Sequence, residues 1–415
     1  MIIQKKIFVF LFFIYLSLLI GFYFGEDVIG GAFNDYKSLS HVAFKFKDNF
    51  LLTLINYDDL GHRHSPIFFI IKSTLLNFGE TGHRIFFLHL YMLIPLFFYK
   101  CLKIKFKDIS RNYLKLIAAL VFFFPTYRAY SIWPDAHLLG VLFFIISVFY
   151  YLKFKENIHP LKNSLLNTLF LSFAAYASPN FGIFVIFFIY EFFIKFSLKS
   201  EIIKIFSLNI ILSLPFFFYL FYFNINFIFN DNGWDIGDDF YSFKNISNKI
   251  VIIISLLFFY LIPFVLLKFK KICFPEISIR NVIAILLFII VIYFFDFSDA
   301  YKLTDSGGGF VYNLSNLLLN NDYLLFFICF VTYLYLLKIF KVDKKNIVIF
   351  LCLILSNPQI TIWQANFSPT LFFIIFLLFD GFIKKSDLNY KNLIISYLYF
   401  FLYLLSNILM RNILI

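Results

Sequence analysis

Hydrophobic and polar positions alternate in long blocks along this chain. Apolar runs of about 15–22 residues recur from one end to the other, and that is the length needed to cross a bilayer core. The runs at 7–24, 84–101, 113–131, 136–153, 164–177, 180–196, 202–224, 247–268, 281–296, 323–339, 346–357, 367–384 and 391–410 each read as a helix. The pattern predicts an all-α polytopic membrane protein with about thirteen transmembrane helices. No polar interval is long enough for a soluble domain, so residues 1–415 read as one membrane domain.

The polar interval Glu26–Pro66 stands apart from the other connections. Within it, Leu39, Val42, Ala43, Phe46, Phe50 and Leu54 fall at helical spacing. They predict an amphipathic helix over Ser38–Ile55, lying on the membrane surface beside the first span. The apolar stretch Pro66–Phe78 is too short to cross, because thirteen residues rise only about 20 Å against a core of roughly 30 Å. It reads as a partial or interfacial helix. With that register, every strongly basic loop falls on one side: those around Lys100–Lys115, Lys153–Lys162, Lys195–Lys204, Lys268–Arg280, Lys338–Lys345 and Lys384–Lys391. Lys5 and Lys6 precede the first span, so the positive-inside rule puts the N-terminus in the cytoplasm and Glu26–Pro66 outside.

Composition strengthens this picture. The chain is 61% hydrophobic and 14% charged, with a mean hydropathy of +0.85, against about a quarter charged in soluble domains. A net charge of +12 would raise nucleic-acid binding in a soluble protein. Here the basic residues sit in the short loops of one membrane face, so no nucleic-acid partner is implied. Most of the 67 phenylalanines read as lipid-facing or bundle filler. Cys101, Cys273, Cys329 and Cys352 have no paired spacing and imply neither a disulfide nor a metal framework. The N-terminal run lacks a clean small-residue cleavage site and reads as a first span. No internal repeat of the kind that builds transporters is present.

Ionisable groups are costly near a bilayer, so those gathered on the exterior face are the candidates for chemistry. Asp35 follows the first span and could act as a general base on a hydroxyl or hold a divalent cation. Glu26 and Asp27, just before it, read as interface charges, with Lys37 a further candidate on the same loop. The segment YDDLGHRHSP brings His62, Arg63 and His64 together. His-x-His alone is a weak metal signal, and Arg63 with a histidine is better suited to gripping a phosphate. The segment PTYRAYSIWPDAHLL offers Arg128, Asp135 and His137. Asp135 opens a span, where a carboxylate is either catalytic or a simple helix cap. Arg84 also opens a span and could pair with a lipid phosphate. Asp238–Asp239 and the cluster Trp363, Gln364 and Asn366 are lesser signals. His89 is the ionisable group nearest the centre of a span.

In order and spacing these motifs resemble the GT-C superfamily of membrane glycosyltransferases, of the protein mannosyltransferase and aminoarabinose transferase type. The resemblance rests on GAFNDYKS after the first span, HSPIFFIIKSTLLNFG, the arginine of HRIFFLHLYMLIPLFFYK, FPTYRAYSIWPDAHLLGVLFF, and late in the chain WQANFSPTLFF. It covers about residues 1–225 and is loose from 226 to 415. It implies inverting transfer of a sugar from a polyprenyl-phosphate donor to a hydroxyl of a glycan, lipid or protein acceptor. The transfer would take place on the exterior face of a bacterial inner membrane, with a first-loop acid as base. Asp35 matches the catalytic position best. The family's Asp-Glu pair is Asn34–Asp35 here, and its His-Pro-Pro is His64–Ser65–Pro66, which leaves Asp27 as the alternative base. Arg63, Arg84, Arg128 and His64 would hold the donor phosphate. No cofactor is implied, and a divalent cation is compatible but not required where arginines carry the charge. The competing readings are an O-antigen-type polymerase or ligase and a transporter or flippase of lipid-linked sugars.

Overall fold

The computed structural model describes residues 2–61, 64–197, 199–222, 243–265, 278–297, 307–357 and 362–413, and their side chains except at 2–4, 341, 342 and 410–413. Arg63, His62, Cys273 and the Asp238–Asp239 pair lie outside the described residues. Among the described residues the chain is helical, with one isolated antiparallel bridge, Gly307 to Trp363, and no strand. Eight helices there are long and apolar enough to cross a membrane, and three more are apolar but shorter, where the sequence predicts about thirteen spans.

The difference has visible causes. The run at 113–131 is not one helix. It forms α7 (Arg111–Ala119), a tight turn at Leu120–Phe123, and α8 (Pro125–Ile132). Proline bars the residue before it from helical geometry, and Phe124 is extended at φ −80° and ψ 121°. The runs at 281–296, 346–357 and 367–384 give the shorter helices Ile279–Tyr293, Lys345–Leu355 and Gln364–Leu377.

Large apolar side chains cover the outside. The first helix, α1 (Ile2–Phe24), exposes Phe8, Phe12 and Phe13, and α11 (Ser200–Tyr222) exposes Ile210, Leu214, Phe217 and Phe221. Soluble monomers do not carry apolar faces of that extent, whereas lipid requires them. With the helix lengths, this makes the chain a membrane protein.

The fold divides into two compact units, Met1–Gly233 with Tyr397–Ile415, and Trp234–Ser396. The first is built around α9 (Ala136–Lys155), which is apolar on all sides and buried along most of its length, as a central helix must be. Packed on it are α6 (Leu93–Lys105) and α10 (Pro160–Ala177). A side chain at Gly140 would meet Phe181 and Ser178 within 3.0 Å, so α9 approaches its neighbour closely there. The ends of α9 differ in charge. Near Lys155 lie Lys107 paired with Glu156, Lys155 bonded to buried Glu191 at 2.8 Å, and Lys195. The opposite end begins at Asp135 and carries the aromatic and acidic residues of the site.

Three early helices shape that end. Helix α2 (Ala32–Asp48) buries Tyr36, Leu39, Val42, Ala43 and Phe46 and packs on α4 (Pro66–Leu75). The apolar stripe read from the sequence therefore faces protein at Leu39, Val42, Ala43 and Phe46, whereas Phe50, beyond the break, is exposed. Asn49 ends α2 and caps α3 (Phe50–Ile55) through its side chain, so Ser38–Ile55 is two helices. Helix α4 is ten residues long, a rise of about 15 Å. A turn at Leu76–Phe78 and a left-handed Gly79 (φ 72°) then start α5 (Gly79–Tyr91).

The second unit centres on α12 (Phe243–Val265), which is buried among the surrounding helices. Amide side chains lock its connections. Asn248 bonds both backbone groups of Asp296 at 2.9 Å, and Asn346 does the same for Asp380 at 2.9 and 3.0 Å. Gln364, singled out in the sequence, accepts from the Phe310 amide at 2.9 Å and so ties two segments of the unit.

Candidate active site

The site begins with the start of α2. The periodicity of the sequence places the helix from Ser38, but it starts six residues earlier, at Ala32. Asp27 is the reason. Its two carboxylate oxygens accept from the amides of Gly30 (2.9 Å) and Phe33 (3.0 Å), closing the turn through Gly30 (φ 73°) and capping the helix. Asp35 consequently stands in the first turn of a helix, not in a free loop.

Asp27 and Asp35 thus separate in role. Asp27 is committed to the backbone. The Asp35 carboxylate makes no hydrogen bond or ion pair among the described residues and is open by surface area. Yet its carboxyl is pushed up to about 7, first by desolvation and then by the negative charges of Asp135 and Asp27. The carboxylate is exposed on one side, and the protein and the two acids on its other side favour its protonated form. Tyr130 of α8 lies in the field of the same three acids.

Asp135 caps α9, accepting from the His137 amide at 2.6 Å, and its backbone carbonyl accepts from the Tyr91 hydroxyl at 3.0 Å. It is buried and held rigidly. It acts on Asp35 through its charge and makes no hydrogen bond to it.

Arg84, on the first turns of α5, is also buried. Its guanidinium carbon lies 3.6 Å from the Trp133 ring centroid and 4.7 Å from that of Phe22. Nε donates to the Ile132 carbonyl at 3.0 Å, and Nη1 reaches Glu80 at 3.5 Å. Nη2 has no partner among the described residues, and neither does the indole N–H of Trp133 against which the guanidinium stacks. Both donors are free to take an acceptor.

Aromatic rings join these parts. Trp133 packs on Phe33 (4.6 Å between centroids) and Tyr36 (5.4 Å), both on α2. The Tyr36 hydroxyl donates to His83 Nε2 at 2.8 Å, while His83 Nδ1 donates to the Gly79 carbonyl at 3.0 Å. Burial and Glu80 raise the Tyr36 hydroxyl to about 12, which keeps it a donor. The structure thus brings Asp35, Asp135 and Arg84 to one end of the bundle.

The other residues predicted from sequence fall elsewhere or are already engaged. Arg128 grips Glu26 through two nitrogens in a bidentate pair, so its guanidinium is already engaged by a carboxylate, and Glu26 is its half-buried counter-ion. Lys37 lies with its ammonium 4.0 Å from the Phe33 ring, on the exposed side of α2. The stretch at His64 is tied to its surroundings by the Tyr57 hydroxyl on the His64 carbonyl and the Ser65 hydroxyl on the Tyr176 carbonyl. His137 stacks on Phe181, and His89 bonds Tyr15 at 2.9 Å. No group of three or more His, Cys, Asp or Glu side chains among the described residues could hold a metal ion.

Sequence reasoning missed Trp133, Tyr36, His83 and Lys72. Lys72 carried a signal: a lone lysine inside the apolar run PIFFIIKSTLL, where a charge is expensive. Comparison with family models, curated proteins and solved structures finds no match to this chain.

Proposed function

We propose that this membrane protein is a glycosyltransferase that moves a sugar from a polyprenyl-phosphate donor to an acceptor hydroxyl, with inversion, and that Asp35 is its base. The observation that carries this reading is Asp35 itself: an accessible, uncommitted carboxylate whose proton affinity lies near neutral pH. A general base works best when its pKa is close to the operating pH. In the reaction the acceptor oxygen attacks the anomeric carbon and gives its proton to Asp35. The bond from that carbon to the phosphate oxygen breaks, and its electron pair leaves on the polyprenyl phosphate. Arg84 Nη2 and the Trp133 N–H, both open, are suited to that growing negative charge. Asp135 holds α9 in place and keeps Asp35 basic. The exposed apolar helix faces supply a lipid-facing surface for the polyprenyl tail.

The charge difference between the ends of α9 supports a cytoplasmic N-terminus, with the site on the opposite, exterior face of a bacterial inner membrane. The test is transfer by the purified protein in nanodiscs, given radiolabelled polyprenyl-phosphate sugars and an acceptor extract. Labelled glycan is expected from wild type and none from Asp35→Asn of equal yield. Movement of the labelled lipid across vesicles without any glycosylated product would replace this reading with a flippase.

A further inference from the structure

Lys72 lies on α4 with its side chain wholly buried, on a helix that also buries Phe68, Phe69 and Ser73. Its ammonium has three donors and uses one hydrogen bond, to the Tyr36 carbonyl at 3.2 Å. It stacks 4.0 Å from the Tyr36 ring and 5.8 Å from that of Phe68. It makes no ion pair among the described residues. The anions whose field it meets are Asp135, which caps α9, and Glu80, on α5.

Packing does not demand a lysine here. A methionine of similar length would fill the same space between the rings without a charge to desolvate, and buried charges exchanged for apolar side chains often leave stability unchanged or improved. A lysine kept in such a place, with one hydrogen bond for three donors, points to a functional constraint. Its contacts say which. Tyr36 directly follows Asp35 on α2, and Asp135 is the anion that acts most strongly on Asp35.

We propose, on the reading of Asp35 as base, that Lys72 is a positioning residue for it: its ammonium pins α2 at the Tyr36 carbonyl and offsets the charge of Asp135 beside the base. A small displacement of a base costs rate rather than binding. Without the cation, the field of Asp135 acts on Asp35 uncompensated and holds its proton more strongly.

The experiment compares wild type with Lys72→Met in nanodiscs by three measurements. The first is the melting temperature. The second is kcat and KM for the polyprenyl-phosphate sugar. The third is the pH dependence of labelling at Asp35 by dicyclohexylcarbodiimide, which attacks protonated carboxyls, read by mass spectrometry with Asp35→Asn as the blank. Lys72→Met is expected to melt no lower than wild type, to lose at least tenfold in kcat with KM little changed, and to label Asp35 up to a higher pH. A kcat within twofold of wild type with the labelling midpoint unmoved overturns the proposal. So does a rate loss that tracks a lower melting temperature, which marks a merely structural lysine. If wild type transfers no sugar, the glycosyltransferase reading fails, while the labelling midpoint still decides whether Lys72 governs Asp35.

Discussion

Arg128 and Glu26, 102 residues apart in the chain, form a bidentate pair in which Nε and Nη2 each lie 2.6 Å from a carboxylate oxygen. Arg128 also reaches the Ser17 hydroxyl at 3.2 Å and the Ser17 carbonyl at 3.1 Å, so one guanidinium joins α8 to both the body and the end of α1. Removing one partner strands a buried charge, which typically costs about 3–5 kcal/mol. Glu26→Ala is expected to lower stability on that scale in denaturant unfolding in mild detergent, and Arg128→Ala by less, because the Glu26 it leaves behind is only half-buried. The double variant should recover part of the loss. If the two single losses simply add, the two residues are not a pair.

Gly21 makes that pair possible. A Cβ there would sit 2.2 Å from Glu26 Oε2 and 3.0 Å from Arg128 Nη2. Gly21→Ala, a change that would normally favour a helix, is expected to destabilise the protein instead. The check is the sign of the change in melting temperature.

The Asp35 carboxyl titrates near pH 7, well above its ordinary 3.8. Only the ionised form can accept a proton, so the rate should rise with pH through about 7 and level off above it. Stability runs the other way. A raised carboxyl pKa means that the folded state holds the proton more tightly than the unfolded chain. The resulting stabilisation is complete below about 3.8 and is lost as pH climbs through about 7. Melting curves at pH 5 and pH 8 should therefore differ for wild type, and Asp35→Asn should remove this part of the difference while abolishing transfer.

Asp135 offers a way to separate capping from electrostatics. Asp135→Ala deletes the cap and should cost about 1 kcal/mol, whereas Asp135→Asn keeps an oxygen for the His137 amide and should cost far less. Because Asp135 is one of the charges that raise Asp35, both changes should move the rise of the pH–rate profile to lower pH. An unmoved profile in Asp135→Asn would show that the two acids do not sense each other.

Arg84 and Trp133 present the open donors. Deleting one donor aimed at developing charge costs about 10²–10³-fold in rate. Trp133→Phe keeps an aromatic ring for the guanidinium to stack on and removes only the N–H, so it isolates that term. A fall in kcat at near-constant KM for the sugar donor is expected, and the steady-state constants decide it.

The sequence by itself determined the membrane character, the positions of most helices and the short helix after Pro66, and it named Asp35, Arg84 and Asp135 as candidates. Those features are written in local terms: the length of an apolar run, a helical repeat, a proline, and the cost of a charge near lipid. The tertiary structure decided the rest. It started α2 at Ala32 through the cap of Asp27, and it broke the run at 113–131 beside Pro125. Arg128 it assigned to Glu26, and Lys72 it buried under Tyr36. Apolar periodicity reports which side of a helix is greasy but not what covers it, so α2 could be expected to lie on lipid when it packs on α4. A guanidinium, likewise, can serve a phosphate or a carboxylate equally well by sequence. Which one it meets is settled only when residues a hundred positions apart are packed side by side.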